Sequence, residues 1–241
     1  MTEIRRQTLA IIPALDEAET LPAVLSALRQ WNLGGIRVVD NGSTDETPAL
    51  ARNGGAEVII HPTRGYGAAC WRGMQDIPPG IRWILFCDAD GSDDLTALDS
   101  FFAAAAGHDL ILGDRTTLPD SRATLTWPQR FGNSLAGFLI FLRWGHRFRD
   151  LGPLRLIRHS ILETFHMQDR GFGWTVEMQA KAAMLGCSCI EIPIHYHRRK
   201  GGKSKIAGTL TGTVKAGTII LLTLAKLWVS HPPDSLRKPK K

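Results

Sequence analysis

Asp88-Ala89-Asp90-Gly91 places two carboxylates one small residue apart, directly after the apolar run Ile81–Cys87. A run of that kind reads as a buried strand, and in an open α/β sheet the carboxyl edge is where ligands bind. Two hard oxygen donors beside a glycine suit a divalent cation that also carries a diphosphate; a solvated turn is the other reading. Two more strand-like runs end in acids, at Pro13-Ala14-Leu15-Asp16-Glu17 and Val39-Asp40-Asn41-Gly42-Ser43-Thr44-Asp45. Here Asn41-Gly42 supplies a turn, and Ser43 or Thr44 can cap the next helix with Asp45 near its positive end. The Asp40 carboxylate can accept hydrogen bonds from a base or a ribose. One fold then gathers Glu17, Asp40, Asp88 and Asp90 at one crevice. Carboxylates gathered without cations repel one another and raise one another's pKa values, so a bound metal and a polar ligand account for the set.

Hydrophobic periodicity gives the elements that must hold these groups. Thr8–Pro13 is an apolar strand, and Leu21–Trp31 carries apolar residues at helical spacing. Strands at Ile36–Asp40, Glu57–Ile60, Trp83–Cys87 and Leu110–Gly113 alternate with helices over Thr44–Arg52, Gly65–Met74 and Thr96–Ala106. This rhythm predicts an α/β fold, a mostly parallel twisted sheet flanked by helices. At 241 residues, 44% of them hydrophobic, the chain can bury a full core and reads as one large domain.

The net charge of +6 is unevenly placed: Arg198–Lys205 carries +5 and residues 206–241 another +5, leaving the first 197 residues near −4. A basic carboxyl-terminal third predicts contact with an anion, either phosphate groups or a membrane surface. A solubilising tail is the alternative for Arg237–Lys241. With no basic stripe of interleaved aromatics, nucleic acid is not an expected partner. Cys70, Cys87, Cys187 and Cys189 sit inside apparent helices and strands, and Cys187-Ser188-Cys189 is a poor start for a zinc site. Reduced thiols in the cytosol are expected, and Met1–Gln7 holds no apolar stretch of the signal-peptide kind.

Five motifs in order resemble the family 2 glycosyltransferases: Ile12-Pro13-Ala14-Leu15-Asp16-Glu17, Val39–Asp45, Arg64-Gly65-Tyr66-Gly67-Ala68, Asp88-Ala89-Asp90-Gly91 and Gly113-Asp114-Arg115. The resemblance implies a GT-A-type nucleotide-binding fold with a metal-binding acidic motif. By carry-over, Pro13, Glu17, Asp40, Asp88 and Ala89 hold the nucleotide-sugar donor. Asp88 and Asp90 hold the divalent ion, Mg²⁺ or Mn²⁺, and its diphosphate. Four later segments, Arg130–Ser134, Arg149–Arg155, Gly171–Met178 and Ile192–Lys205, look like the polyprenyl-phosphate (dolichyl-phosphate) mannosyl- and glucosyltransferases. In that branch arginines matching Arg115 and Arg130, with a serine matching Ser134, face the lipid phosphate. The Arg199…Gly202…Ser204-Lys205 spacing matches the loop that closes over the site. The implied division is a catalytic domain at 1–205 and an amphipathic helical extension with a basic tail at 206–241.

A lipid phosphate is already an anionic nucleophile. It needs positioning and charge cancellation rather than proton removal, and arginine supplies both. The metal stabilises the departing nucleoside diphosphate as a Lewis acid, so one displacement with inversion is expected. A sugar hydroxyl would instead call for a general base, for which Asp150 is the candidate beside a structural reading of the same residue. Glu177, His195 and His197 are weaker candidates, and Trp174 could line a sugar pocket. Three departures from the family pattern touch the donor side: Leu15-Asp16 replaces the commoner aromatic-Asn pair, Asn41 stands where a second Asp is frequent, and Ser92 stands where some relatives have a metal-holding glutamine. The surroundings of Glu177 and the Gly201–Lys205 loop tilt the expected donor towards UDP-glucose over GDP-mannose.

The most apolar stretch, Ala216–Ala225, is ten residues long, where a membrane span needs about twenty. Thr209–Val229 can form an amphipathic helix that lies in the membrane interface or packs on the domain or on another subunit. Leu135–Trp144 presents the same choice. The expectation is a cytoplasmic enzyme, peripheral on the inner face of the membrane, with a homo-oligomer as an option. Its rivals are a transferase acting on a soluble or saccharide hydroxyl, a non-catalytic nucleotide-sugar or anion-binding module, and a dinucleotide-binding oxidoreductase. The last rests on Gly65-Tyr66-Gly67, lacks a third glycine and leaves the acidic motif unexplained.

Overall fold

The computed structural model describes residues 2–197 and 210–230. Its first half runs α1 (Thr2–Arg6), β1 (Thr8–Ala14), α2 (Leu21–Arg29), β2 (Gly35–Asp40), α3 (Thr47–Asn53), β3 (Glu57–Ile60), α4 (Tyr66–Gly73), β4 (Trp83–Phe86), α5 (Leu98–Ala104) and β5 (Leu110–Asp114); from β1 onwards this is the predicted alternation, and α1 is an addition. The second half adds α6 (Pro119–Thr124), α7 (Trp127–Trp144), β6 (Arg155–Arg158), α8 (His159–Phe165), α9 (Trp174–Met184), β7 (Cys189–Pro193) and α10 (Leu210–Ser230).

The strands form one sheet in the order β3-β2-β1-β4-β6-β5-β7, in which β6 alone runs antiparallel to its neighbours. The mostly parallel sheet is therefore as expected, but β6 is an addition. Arginines at both of its ends disguise it in the sequence. Arg155 is nonetheless buried, its guanidinium 3.1 Å from the carbonyls of Gly152 and Thr175.

Alternation along β1 sends Leu9 and Ile11 to one layer and Ala10 and Ile12 to the other. The second layer holds Leu21, Val24, Leu25 and Leu28 of α2, each contributing roughly 1.5–3 kcal/mol by leaving water. The first layer is roofed by α4, α7, α9 and α10. α10 packs on α7 and α9 and buries Leu224 and Leu227, while Leu221, Leu222 and Val229 stay exposed. Among the described residues no helix is long and apolar enough to cross a membrane.

Consecutive strands lead from β1 outwards through β2 to β3, then the chain returns to the opposite side of β1 with β4. The strand order thus reverses between β1 and β4, and a crevice opens there at the carboxyl ends.

Candidate functional site

Two loops close one wall of this crevice. Asp16, just past β1, takes a left-handed φ of 49°, a conformation that Asp and Asn tolerate better than most residues. Its backbone N–H donates to Ser43 Oγ at 2.8 Å, and its Oδ1 accepts from Thr44 N at 2.7 Å. Glu17 N donates to Thr47 Oγ1 at 2.8 Å, and Ala18 N to Asp45 Oδ2 at 3.2 Å. Ser43 and Thr44 therefore bind the β1 loop instead of capping a helix, which corrects the predicted start at Thr44: α3 begins at Thr47. Asp40 is buried at the end of β2, where its carboxylate accepts from the N–H groups of Gly42 and Ser43 at 3.3 Å. Pro13 is half-buried inside β1.

Thr20 crosses the crevice. Its Oγ1 lies 2.9 Å from the Ala89 carbonyl and 3.2 Å from Glu17 Oε2, so the buried Glu17 is tied to the acidic loop. That loop turns at Gly91, whose φ is 70°. Asp90 Oδ1 accepts from Ser92 N at 2.9 Å and Ser92 Oγ at 2.6 Å, and Asp88 N donates to Asp93 Oδ2 at 2.9 Å. Asp93 Oδ1 is buried with no hydrogen-bond partner. Burial, with Asp90 and Asp150 nearby, pushes the Asp93 carboxyl up to about 7 against the Asp88 N–H and Arg115. Tyr66 and Cys70 of α4 also feel the charge of Asp88. The donor set is thus hard oxygen in a partly buried, net acidic loop. Among the described residues no group of three or more His, Cys, Asp or Glu is placed to enclose an ion. Two carboxylates fit the way Mg²⁺ is commonly held with substrate phosphates, which complete its shell with water.

The opposite wall is basic. Arg115, after β5, forms a bidentate pair with Asp150: Nε to Oδ2 at 2.7 Å and Nη2 to Oδ1 at 2.9 Å, with Arg115 N also donating to Oδ2. Asn133 Nδ2 and Leu151 N donate to Asp150 Oδ1. Burial pushes the Asp150 carboxyl up, but the Arg115 guanidinium and these bonds hold it below the usual carboxylate range. Asn133 stands on α7 between Arg130 and Ser134, so this pairing sets both within a helical turn of the network. Arg130 Nε is buried without a partner, and Ser134 is exposed. The Tyr196 ring lies 4.8 Å from Arg115 Cζ. Arg199, Ser204 and Lys205 lie outside the described residues.

A model described as Glycosyl transferase family 2 matches residues 9–168. The chain belongs to glycosyltransferase family 2. It is 36% identical over 211 residues to an uncharacterised glycosyltransferase of Mycobacterium tuberculosis, covering 86% of this chain and 92% of that one. An undecaprenyl-phosphate mannosyltransferase of Micrococcus luteus is 30% identical over 223 residues, 86% of this chain and 90% of its own. Among solved structures, glucosyl-3-phosphoglycerate synthase from Mycobacterium tuberculosis, in complex with Mn²⁺, UDP and glucosyl-3-phosphoglycerate, superposes with a TM-score of 0.73 at 17% identity, over 93% of this chain and 81% of that one. The resemblance read from the motifs and the GT-A-type fold are both borne out, and the protein is a glycosyltransferase.

Of the weaker candidates in this glycosyltransferase, Trp174 and Glu177 have structural roles. Trp174 is buried in the core, edge-on to Phe86 with ring centres 6.1 Å apart. Glu177 accepts the N–H groups of Gln168 and Asp169 and pairs with Lys181 at 2.6 Å, a clamp on the 166–169 loop. His195 and His197 are exposed on either side of Tyr196. Asn41 is a buried clamp whose amide bonds the carbonyls of His61 and Thr63 and the N–H of Gly65. Asp93 and Tyr196 went unmarked. The third acid in Asp88-Ala89-Asp90-Gly91-Ser92-Asp93 was the available signal for the first; nothing local marks the second.

Proposed function

We propose that this enzyme moves a hexose, with inversion, from a nucleotide sugar to a polyprenyl phosphate at a membrane surface. The reaction is divalent-metal-dependent, with UDP-glucose ahead of GDP-mannose as donor. The observation that carries the reading is the Arg115–Asp150–Asn133 network. It occupies the carboxylate that a hydroxyl acceptor would need as base, holds it at depressed pKa, and fixes a guanidinium near Arg130 and Ser134. A fixed arginine in place of a free base suits an acceptor that is already an anion. The undecaprenyl-phosphate relative supports the acceptor, and the neighbour crystallised with Mn²⁺ and UDP supports the metal and the donor class.

On this reading Pro13, Glu17, Asp40 and Ala89 position the nucleotide, and Asp88 and Asp90 hold the cation with its diphosphate. The cation supplies Lewis-acid stabilisation of the departing nucleoside diphosphate. Arg115 and Arg130 offset the acceptor's charge and orient it, with Ser134 donating a hydrogen bond. A phosphate oxygen forms the new bond to the anomeric carbon as the bond to the donor diphosphate breaks. No proton need leave the nucleophile, so Asp150 acts by holding Arg115. Arg199 and Lys205 follow Tyr196 in the chain and would add two cations, and Ser204 a hydroxyl, to the binding of the same anion.

The test is transfer of labelled sugar from UDP-glucose or GDP-mannose to a polyprenyl phosphate, with Mg²⁺, Mn²⁺ or EDTA. Metal-dependent label in the lipid fraction is expected. Donor hydrolysis without lipid labelling would keep the glycosyltransferase and overturn the acceptor.

A further inference from the structure

Tyr196 joins the two walls of the crevice. Its backbone bridges to Asp93 across an antiparallel contact, and the next residue, His197, donates its N–H to the Ser92 carbonyl at 3.0 Å. Ser92 in turn donates from N and Oγ to Asp90 Oδ1 at 2.9 and 2.6 Å. The other side of Tyr196 is anchored to α6, where Tyr196 N donates to Ser121 Oγ at 3.0 Å. The face of its ring lies 4.8 Å from Arg115 Cζ, where the ring quadrupole attracts the guanidinium without cancelling its charge. One continuous path therefore runs from Asp90 through Ser92 and Tyr196 to Arg115, and on through Asp150 and Asn133 to α7.

We infer that Tyr196 is a positioning residue that couples cation binding at Asp88 and Asp90 to acceptor-phosphate binding at Arg115. The inference rests on the roles proposed above for those residues. A shift of Asp90 on binding a cation moves Ser92, and with it the ring on which the guanidinium rests. Such coupling is reciprocal: if the cation tightens the acceptor phosphate, the acceptor phosphate tightens the cation by the same factor.

Calorimetry reads this without turnover. Mn²⁺ is titrated into the full chain with UDP or GDP, whichever the wild type binds, in the presence and absence of farnesyl phosphate. In the wild type the phosphate should tighten Mn²⁺ binding roughly three- to tenfold, within the range of one cation–π contact. Tyr196→Phe keeps the ring and loses the hydroxyl. As the conservative variant it should retain both that factor and the acceptor KM, because the ring over Arg115 and the backbone bridge to Asp93 are kept. Tyr196→Leu loses the ring as well and should bring that factor below about twofold. By the same reciprocity it should raise the acceptor KM at saturating metal roughly three- to tenfold, with the ring's hold on Arg115 gone. Wild-type coupling in Tyr196→Leu, or equal loss of coupling in both variants, would overturn the inference. A wild type that neither binds farnesyl phosphate nor labels lipid would sink the proposed acceptor instead, a separate failure.

Discussion

The side-chain amide of Asn41 does what no carboxylate could in its place. Nδ2 donates to the carbonyls of His61 at 3.0 Å and Thr63 at 2.6 Å, while Oδ1 accepts from Gly65 N at 2.7 Å. Gly65 has a φ of 151°, and a Cβ there would lie 2.2 Å from the Arg170 carbonyl oxygen, so the loop has no slack. Asn41→Asp removes both donors and sets a charge against two carbonyls. It should lower stability by about 1–3 kcal/mol in urea unfolding and raise the donor KM, whereas an unchanged midpoint would mean that the loop is held by other means. Asp90 can be tested more gently. Asp90→Asn keeps the oxygen that Ser92 bonds and removes the charge. Turnover should drop about 100-fold or more, the loss of roughly 3 kcal/mol of transition-state stabilisation, with the melting temperature preserved. Near-normal turnover would remove the metal assignment. The acids at strand ends were legible because a charge that closes an apolar run stands out in the sequence. The work of Asn41 and Tyr196 was not, since it depends on partners that only the folded chain brings near.

At the scale of elements, β7 fixes the loop that presents Asp150. Glu191 Oε1 accepts the N–H groups of Arg149 at 2.8 Å and Asp150 at 3.1 Å. Burial pushes the Glu191 carboxyl up to about 7, with Asp114 and Asp150 adding to the rise and the two N–H bonds opposing it. Between an unfolded value near 4.5 and a folded value of about 7, the native state holds the extra proton. Stability should therefore fall as pH rises through that window and level off above it. Asp93, also near 7, acts in the same direction. Asp150, held low, has the opposite sign, and its contribution is lost only on acidification below the ordinary carboxylate range. Glu191→Gln keeps the Oε1 acceptor but not the titration, so its urea midpoint should fall less than that of the wild type between pH 5 and 8 with EDTA present. Equal slopes would mean that Glu191 does not titrate there. Among elements, the first half of the chain was legible because each strand and helix declares its own period. In the second half the period is obscured. Arg155 and Arg158 bracket β6, and α9 buries Glu177, Gln179 and Lys181 as well as its apolar residues.

Across the whole molecule, apolar side chains and cations collect on one side of the acceptor wall. On α7, Trp127, Phe131, Ser134, Phe138 and Leu142 recur at helical spacing, and the four apolar ones are exposed. Trp127 stacks on Phe131 with ring centres 5.4 Å apart. α10 adds Leu221, Leu222 and Val229, joined to α7 through Arg143, which lies within 6 Å of the Trp144 and Trp228 rings. Neither Ser121–Arg149 nor Leu210–Ser230 contains an acid, and the two segments carry five arginines and two lysines. Exposed apolar area rimmed by cations is the signature of an interfacial surface. It supports the proposed contact with an anionic leaflet, where each nearby basic residue contributes roughly 1 kcal/mol. Ser134 lies in the stripe and Arg130 beside it, so a membrane on this face would present a lipid phosphate to both without extracting it far from the headgroups. The triple variant Trp127→Ser, Phe131→Ser, Phe138→Ser should lose flotation with phosphatidylglycerol vesicles and transfer to a long-chain acceptor, yet keep transfer to a short, water-soluble prenyl phosphate. Raising salt should weaken wild-type flotation, because the cations supply part of the attraction. Undiminished flotation of the triple variant would turn this face away from lipid and leave it to cover a second protein surface.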